Sequence, residues 1–150
     1  MFLQFVQQNE PRVDLDGLAR AAERHFDATL SPGAPSPLGI RVQFTSQPYG
    51  TAAFTLRART CTESDYARLE PAERANQSHG MAGLGRRCTA LWEVLPDPGT
   101  PAAACFHFGA LLASVALGPL LPPEGDGLYG VRSARLRAEA MLGRAKSKSE

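Results

Sequence analysis

Ile40-Arg41-Val42-Gln43-Phe44-Thr45 and, a few residues on, Thr51-Ala52-Ala53-Phe54-Thr55-Leu56-Arg57-Ala58-Arg59-Thr60 decide how this chain reads. In the first segment Ile40, Val42 and Phe44 alternate with Arg41, Gln43 and Thr45, the two-residue period of a strand with one buried and one wet face. In the second, Phe54, Leu56 and Ala58 fall opposite Ala53, Thr55, Arg57 and Arg59. Pro48-Tyr49-Gly50 supplies the turn between them, so the pair predicts an antiparallel hairpin.

Toward the N-terminus, Ser31 to Pro37 holds three prolines and a glycine, which stop any helix and predict a loop. Before it, Leu15, Leu18, Ala22, Phe26 and Leu30 recur at three- and four-residue steps, one stripe of a helix that Asp14 or Asp16 caps. Phe2, Phe5 and Val6, interleaved with Gln4 and Gln7, predict a short strand that Pro11 ends.

Toward the C-terminus, Ser64 to Cys88 reads as a short helix and then a longer one opened by Pro71, with Gly80, Gly83 and Gly85 weakening its end. Thr89 to Leu95 predicts a strand around Trp92, stopped by the turn Pro96-Asp97-Pro98-Gly99. Pro101 opens an apolar helix reaching about Leu117, where Gly118-Pro119 closes it. A Pro/Gly/Asp-rich connection from Leu120 to Gly130 leads to a last helix with Val131, Ala134, Ala138, Met141 and Ala145 on its inner stripe and a fraying tail at 146–150.

This order predicts one α+β domain over residues 1–150. The architecture it implies is a mainly antiparallel four-stranded sheet of ferredoxin-like, split βαβ order, with two extra C-terminal helices. A chain of 150 residues with 43% apolar side chains is long enough to bury roughly 70% of its unfolded surface without a metal or disulfide. Sixteen basic against fifteen acidic residues leave a net charge of +1, which supplies no overall field toward nucleic acid or anionic lipid. The apolar run from Pro101 to Leu121 is interrupted by His107, Ser114 and Pro119 and reads as a buried helix, not a membrane span. The first ten residues lack the basic start and long apolar middle of a secretory signal, and Cys61, Cys88 and Cys105 show neither an even count nor a CxxC spacing. Both features point to reduced thiols in the cytoplasm.

Candidate chemistry is thin. Of the three histidines, His25 reads as structural or solvated. His79, in the polar run Asn76-Gln77-Ser78-His79-Gly80, has the most functional setting. His107 lies two residues after Cys105, and on a helix that spacing turns the two side chains about 200° apart, which argues against a shared metal. Gly80-Met81-Ala82-Gly83-Leu84-Gly85-Arg86-Arg87 resembles a phosphate cradle only superficially, because a helix enters it and a strand follows, the reverse of what a phosphate loop requires. Glu63, Asp65, Glu70 and Glu73 read as a solvated helix face. The basic cluster Arg132, Arg135, Arg137, Arg144, Lys146 and Lys148 is opposed only by Glu139 and reads first as a solvated face.

No catalytic residue, cofactor or metal ligand is therefore assigned, and the reading leans away from an enzyme. The leading expectation is a non-enzymatic interaction module of the cytosol, of the adaptor or immunity and inhibitor type, that binds another protein through an exposed sheet face or the final helix. His79, Arg86, Arg87, Tyr129, Arg132 and Arg135 are its candidate interaction or anion-site residues, with a homo-oligomer left open. Nucleic acid ranks last, since Phe44, Phe54 and Trp92 alternate inside strands and do not flank the basic cluster. The alternative is a small enzyme on an anionic substrate, with His79 as base, Arg86 or Arg87 holding the anion, and Ser78 or Cys88 as nucleophile.

Overall fold

A computed structural model describes the backbone of residues 1–149 and the side chains up to residue 144, so the tail expected to fray at 146–150 lies outside the described side chains. The chain runs β1 (Phe2–Val6), α1 (Leu15–His25), β2 (Ala28–Pro32), β3 (Ile40–Ser46), β4 (Gly50–Thr60), α2 (Glu63–Ala67), α3 (Leu69–Asn76), α4 (Met81–Arg86), β5 (Ala90–Pro96), α5 (Ala102–Ala116), β6 (Leu120–Leu121) and α6 (Val131–Ser149). The fold is α+β with an antiparallel sheet. The expected antiparallel hairpin of β3 and β4 forms, with Val42 opposite Phe54 and Ser46 opposite Gly50.

The sheet differs from the expectation in number and order. Among the described residues it has six strands where four were expected, ordered β2-β3-β4-β5-β1-β6, and every neighbouring pair is antiparallel. The decisive element is β2, read from sequence as the end of a helix and the start of a loop. Helix α1 stops at His25, Asp27 turns the chain with φ of 47°, and Ala28–Pro32 then pairs with β3, which places Leu30 on the sheet. Pro32 is tolerated because β2 is an edge strand. With β2 inserted, the strand after the first helix runs parallel to β1 but has three strands between, not the one of a split βαβ unit. The region 63–88 holds three short helices in place of two.

Two cores share the sheet. On one face Phe2, Val6, Val42, Phe44, Phe54, Leu56, Trp92 and Val94 pack against α1, α5 and α6. Helix α5 is apolar all round and buried, its Phe108 stacking on Phe54 with centroids 4.1 Å apart. On the other face Leu3, Phe5, Leu91 and Leu121 pack against Leu69, Ala72 and Ala82 of α3 and α4. Strand β1 is covered on both sides, which is why its pattern does not alternate. Gln4, fully buried in it, donates through Nε2 to the carbonyls of Gly118 (2.8 Å) and Phe5 (3.0 Å), tying the end of α5 to the strand. Trp92 satisfies its indole N–H on the Arg12 carbonyl at 2.8 Å.

The acidic run is less solvated than its sequence suggests. Thr62 and Asp65 form a capping box at α2, and the Asp65 carboxylate, 5% exposed, takes both guanidinium nitrogens of Arg59 at 2.7 and 2.9 Å. Arg59 also reaches Glu93, which Arg57 holds from its other oxygen. The Arg59 bonds hold the Asp65 carboxyl at about 2, below the usual carboxylate range, against the opposing effect of burial. Glu73 accepts the Ala82 N–H, and Glu70 pairs with Arg86.

Asp65→Asn should therefore cost roughly 3 kcal/mol in urea unfolding. The Asp65 contribution is full above its unfolded value and is lost as pH falls through about 2, so the gap between wild type and variant should close over that acid range. At the end of α5, Gly118 has no room for a side chain, since a Cβ would strike the backbone of Phe5, whereas exposed Leu117 holds a left-handed φ of 60°. Gly118→Ala should destabilise by roughly 2 kcal/mol and Leu117→Gly should stabilise by up to about 1 kcal/mol, both read from thermal or urea unfolding.

Candidate interaction site

A concavity lies where the end of α1, the β3–β4 turn, α5 and α6 meet. Its volume is about 740 Å³, and it is lined by Glu23 to Asp27, Gln47 to Tyr49, His107, Arg135, Glu139, Leu142 and Gly143. A second cleft of about 370 Å³ adjoins it, sharing Glu23, Asp27 and Gln47 and adding Ala28, Thr29, Thr45 and Ser46.

His107 is placed by α5. Its neighbours Phe106 and Phe108 turn into the core against Phe2 and Phe54, and the imidazole emerges among Tyr49, Phe44 and Phe26. The ring stacks on Tyr49 with centroids 4.2 Å apart and planes 17° apart. Its Nε2 is closed off from solvent without a hydrogen-bond partner among the described residues. Burial, helped by the nearby Arg135 cation, pushes His107 down to about 4, so the ring is neutral at physiological pH. Arg135 lays its guanidinium over Phe26 at 4.0 Å and donates to the His25 carbonyl at 2.6 Å, completing the end of α1. The Tyr49 hydroxyl is pushed up by burial and by the negative charge of Glu139.

Of the residues singled out from sequence, Arg135 lines this cleft. Tyr129 is buried, edge-on to Phe106, with its backbone bridged to Leu120. Arg132 is exposed at the start of α6, His79 is exposed between α3 and α4, Arg86 is held by Glu70, and Arg87 lines a shallow cleft with Gln7, Gln8, Asn9 and Thr89. Ser78 donates to Asn76, and burial raises the Cys88 thiol to about 11, which keeps it protonated. Cys105 and His107 open into different clefts, as their helical spacing requires. Among the described residues, no three side chains of the His, Cys, Asp and Glu types come together as a metal site. The basic cluster is partly spent within the chain, since Arg137 approaches Asp126 at 3.6 Å and Arg135 covers Phe26.

Sequence reasoning passed over Tyr49, Asp27, Glu23 and Glu139. Tyr49 offered a signal, an aromatic placed at a turn where a polar residue would suffice. The acids offered none, because only the packing of α1 against α5 and α6 brings them to one rim. No family model, no curated protein and no solved structure matches this chain. No helix among the described residues is long and apolar enough to cross a membrane.

The His107 environment has a measurable consequence. Its folded value lies below its unfolded one, so stability is full above about 6.5 and falls as pH drops toward 4, where the unfolded chain binds a proton that the folded chain resists. Replacing the imidazole by a ring that does not titrate, His107→Phe, should remove about 2 kcal/mol of acid-induced loss across that window in urea titrations.

Proposed function

We propose that this chain is a non-enzymatic protein-interaction module, acting as an adaptor or as an immunity or inhibitor-type protein in the cytosol, and that the α1–α5–α6 cleft receives part of its partner. The observation that carries this reading is the cleft itself, an open concavity of about 740 Å³ walled by Tyr49, Phe26, His107 and Arg135. Aromatic and arginine side chains around a desolvated pocket are the residue types that anchor protein interfaces. The neutral imidazole fits binding, since a partner meets a hydrogen-bonding ring with no charge to desolvate. The thiols of Cys88 and Cys105, both raised by burial to about 11, suit a reducing compartment, where buried cysteines stay inert.

A photo-crosslinking residue at Gln47, on the cleft rim, should capture one discrete protein in the native cell, whereas the same residue at Gln43, on the opposite sheet face, should not. The captured protein, once purified, should bind the wild-type chain and lose roughly tenfold or more in affinity to Tyr49→Ala and to the exposed Glu139→Lys, with thermal unfolding confirming that both variants fold. Equal capture from both positions, or undiminished binding by both variants, would sink the proposal.

A further inference from the structure

We infer that the occupant of this cleft is an arginine side chain of the partner protein. The inference rests on the interaction reading above and specifies its chemistry.

Charge selects the sign of the ligand. Among the described residues Glu23, Asp27 and Glu139 line the cleft against Arg24 and Arg135, leaving one negative charge in excess. Among the described residues none of the three carboxylates is within ion-pair distance of a base. The C-terminal end of α1, worth roughly half a negative charge, points the same way. A cation is thus attracted, and an anion must overcome both the excess carboxylate and the helix end.

The chain's own contacts show which cation the walls accept. Arg135 sits over the Phe26 ring, its Cζ 4.0 Å from the centroid, while donating to the His25 carbonyl, an aromatic face and an oxygen acceptor used together. Tyr49 and the three carboxylates line the same cleft, so an aromatic ring and oxygen acceptors are both available to an occupant. A guanidinium suits it better than an ammonium, because it is planar, weakly hydrated and able to stack while its edge donates several hydrogen bonds. An independent sign comes from Ser46. It is 3% exposed, lines the adjoining cleft beside Glu23 and Asp27, and its Oγ has no hydrogen-bond partner among the described residues. A buried hydroxyl without a partner is costly, and a donor arriving along that wall would satisfy it.

The probe is methylguanidinium, followed by backbone amide NMR on the intact chain, with methylammonium and acetate as comparison ions and an N-acetylated, C-amidated Ala-Arg-Ala peptide as the protein-like form. Methylguanidinium and the peptide should shift the Asp27, Gln47 and Tyr49 amides saturably, methylammonium less so and acetate not at all. The exposed double variant Asp27→Asn with Glu139→Gln should weaken both by about tenfold while leaving thermal unfolding unchanged. Saturation by acetate, or no saturable shift with methylguanidinium, overturns the inference. Capture from Gln47 persisting in that second case leaves the interaction reading intact while removing its arginine. Binding of methylguanidinium but not of the peptide overturns the protein source.

Discussion

Helix α5 places eleven of its fifteen residues out of solvent, so it has no wet face to offer and must be covered from every direction. The sheet covers one side through Phe44 and Phe54, and α1 and α6 cover the rest with Leu18, Ala22, Ala134 and Ala138. Gly109 marks how close this approach is, since a Cβ there would run into Leu120. The aromatic cover from the sheet comes from β1, β3 and β4, with Phe106 edge-on to Phe2 and Phe108 against Phe44 and Phe54.

The two strands beyond the expected four lie at opposite edges of the sheet. Strand β2 extends the sheet beyond the hairpin and carries Ala28 and Leu30 to the core edge. The two residues of β6 pair with β1 at the other edge, where Gln4 donates through Nε2 to the carbonyls of Gly118 and Pro119. Behind β1, β5 and β6 the second face is sealed by α3 and α4, and Asn76 holds the following connection in place by exchanging hydrogen bonds with the Leu128 backbone. The Arg59, Asp65 and Glu93 cluster sits at the border of that covered region, where an ion pair is half-shielded and its geometry counts.

The cleft follows from the same wrapping. A polar residue on α5 must leave the core somewhere, and His107 leaves it where α1 ends and the β3–β4 turn rises. The imidazole remains neutral there because Tyr49, Phe44 and Phe26 replace water around it and Arg135 adds a positive charge nearby. The carboxylates gather at the rim because Glu23 lies on the exposed side of α1, Asp27 in the turn after it and Glu139 on the exposed side of α6, and Arg135 brings α6 against the end of α1. The proposed partner cleft thus lies where His107 leaves the core between the end of α1, the β3–β4 turn and α6.

Local pattern alone determined much of this protein. The alternation of Ile40, Val42 and Phe44, an acidic cap of α1 at Asp14 or Asp16, the largely apolar stretch after Pro101 and the stripe Ala134, Ala138 and Met141 each state a backbone geometry or a buried face within a few residues. They are legible because side-chain period and capping are properties of neighbours in the chain. Strand β2, the pairing of β1 with β5, the burial of Asp65 and the meeting of Tyr49, His107 and Arg135 were decided by tertiary structure. The strand pairings and the cleft depend on partners far away in sequence, and Asp65 depends on Arg59 of β4, six residues back but in a different element. A five-residue edge strand rich in Thr, Ser and Pro gains its hydrogen bonds only when β3 is beside it, and a carboxylate becomes a buried ion only when an arginine from another strand arrives.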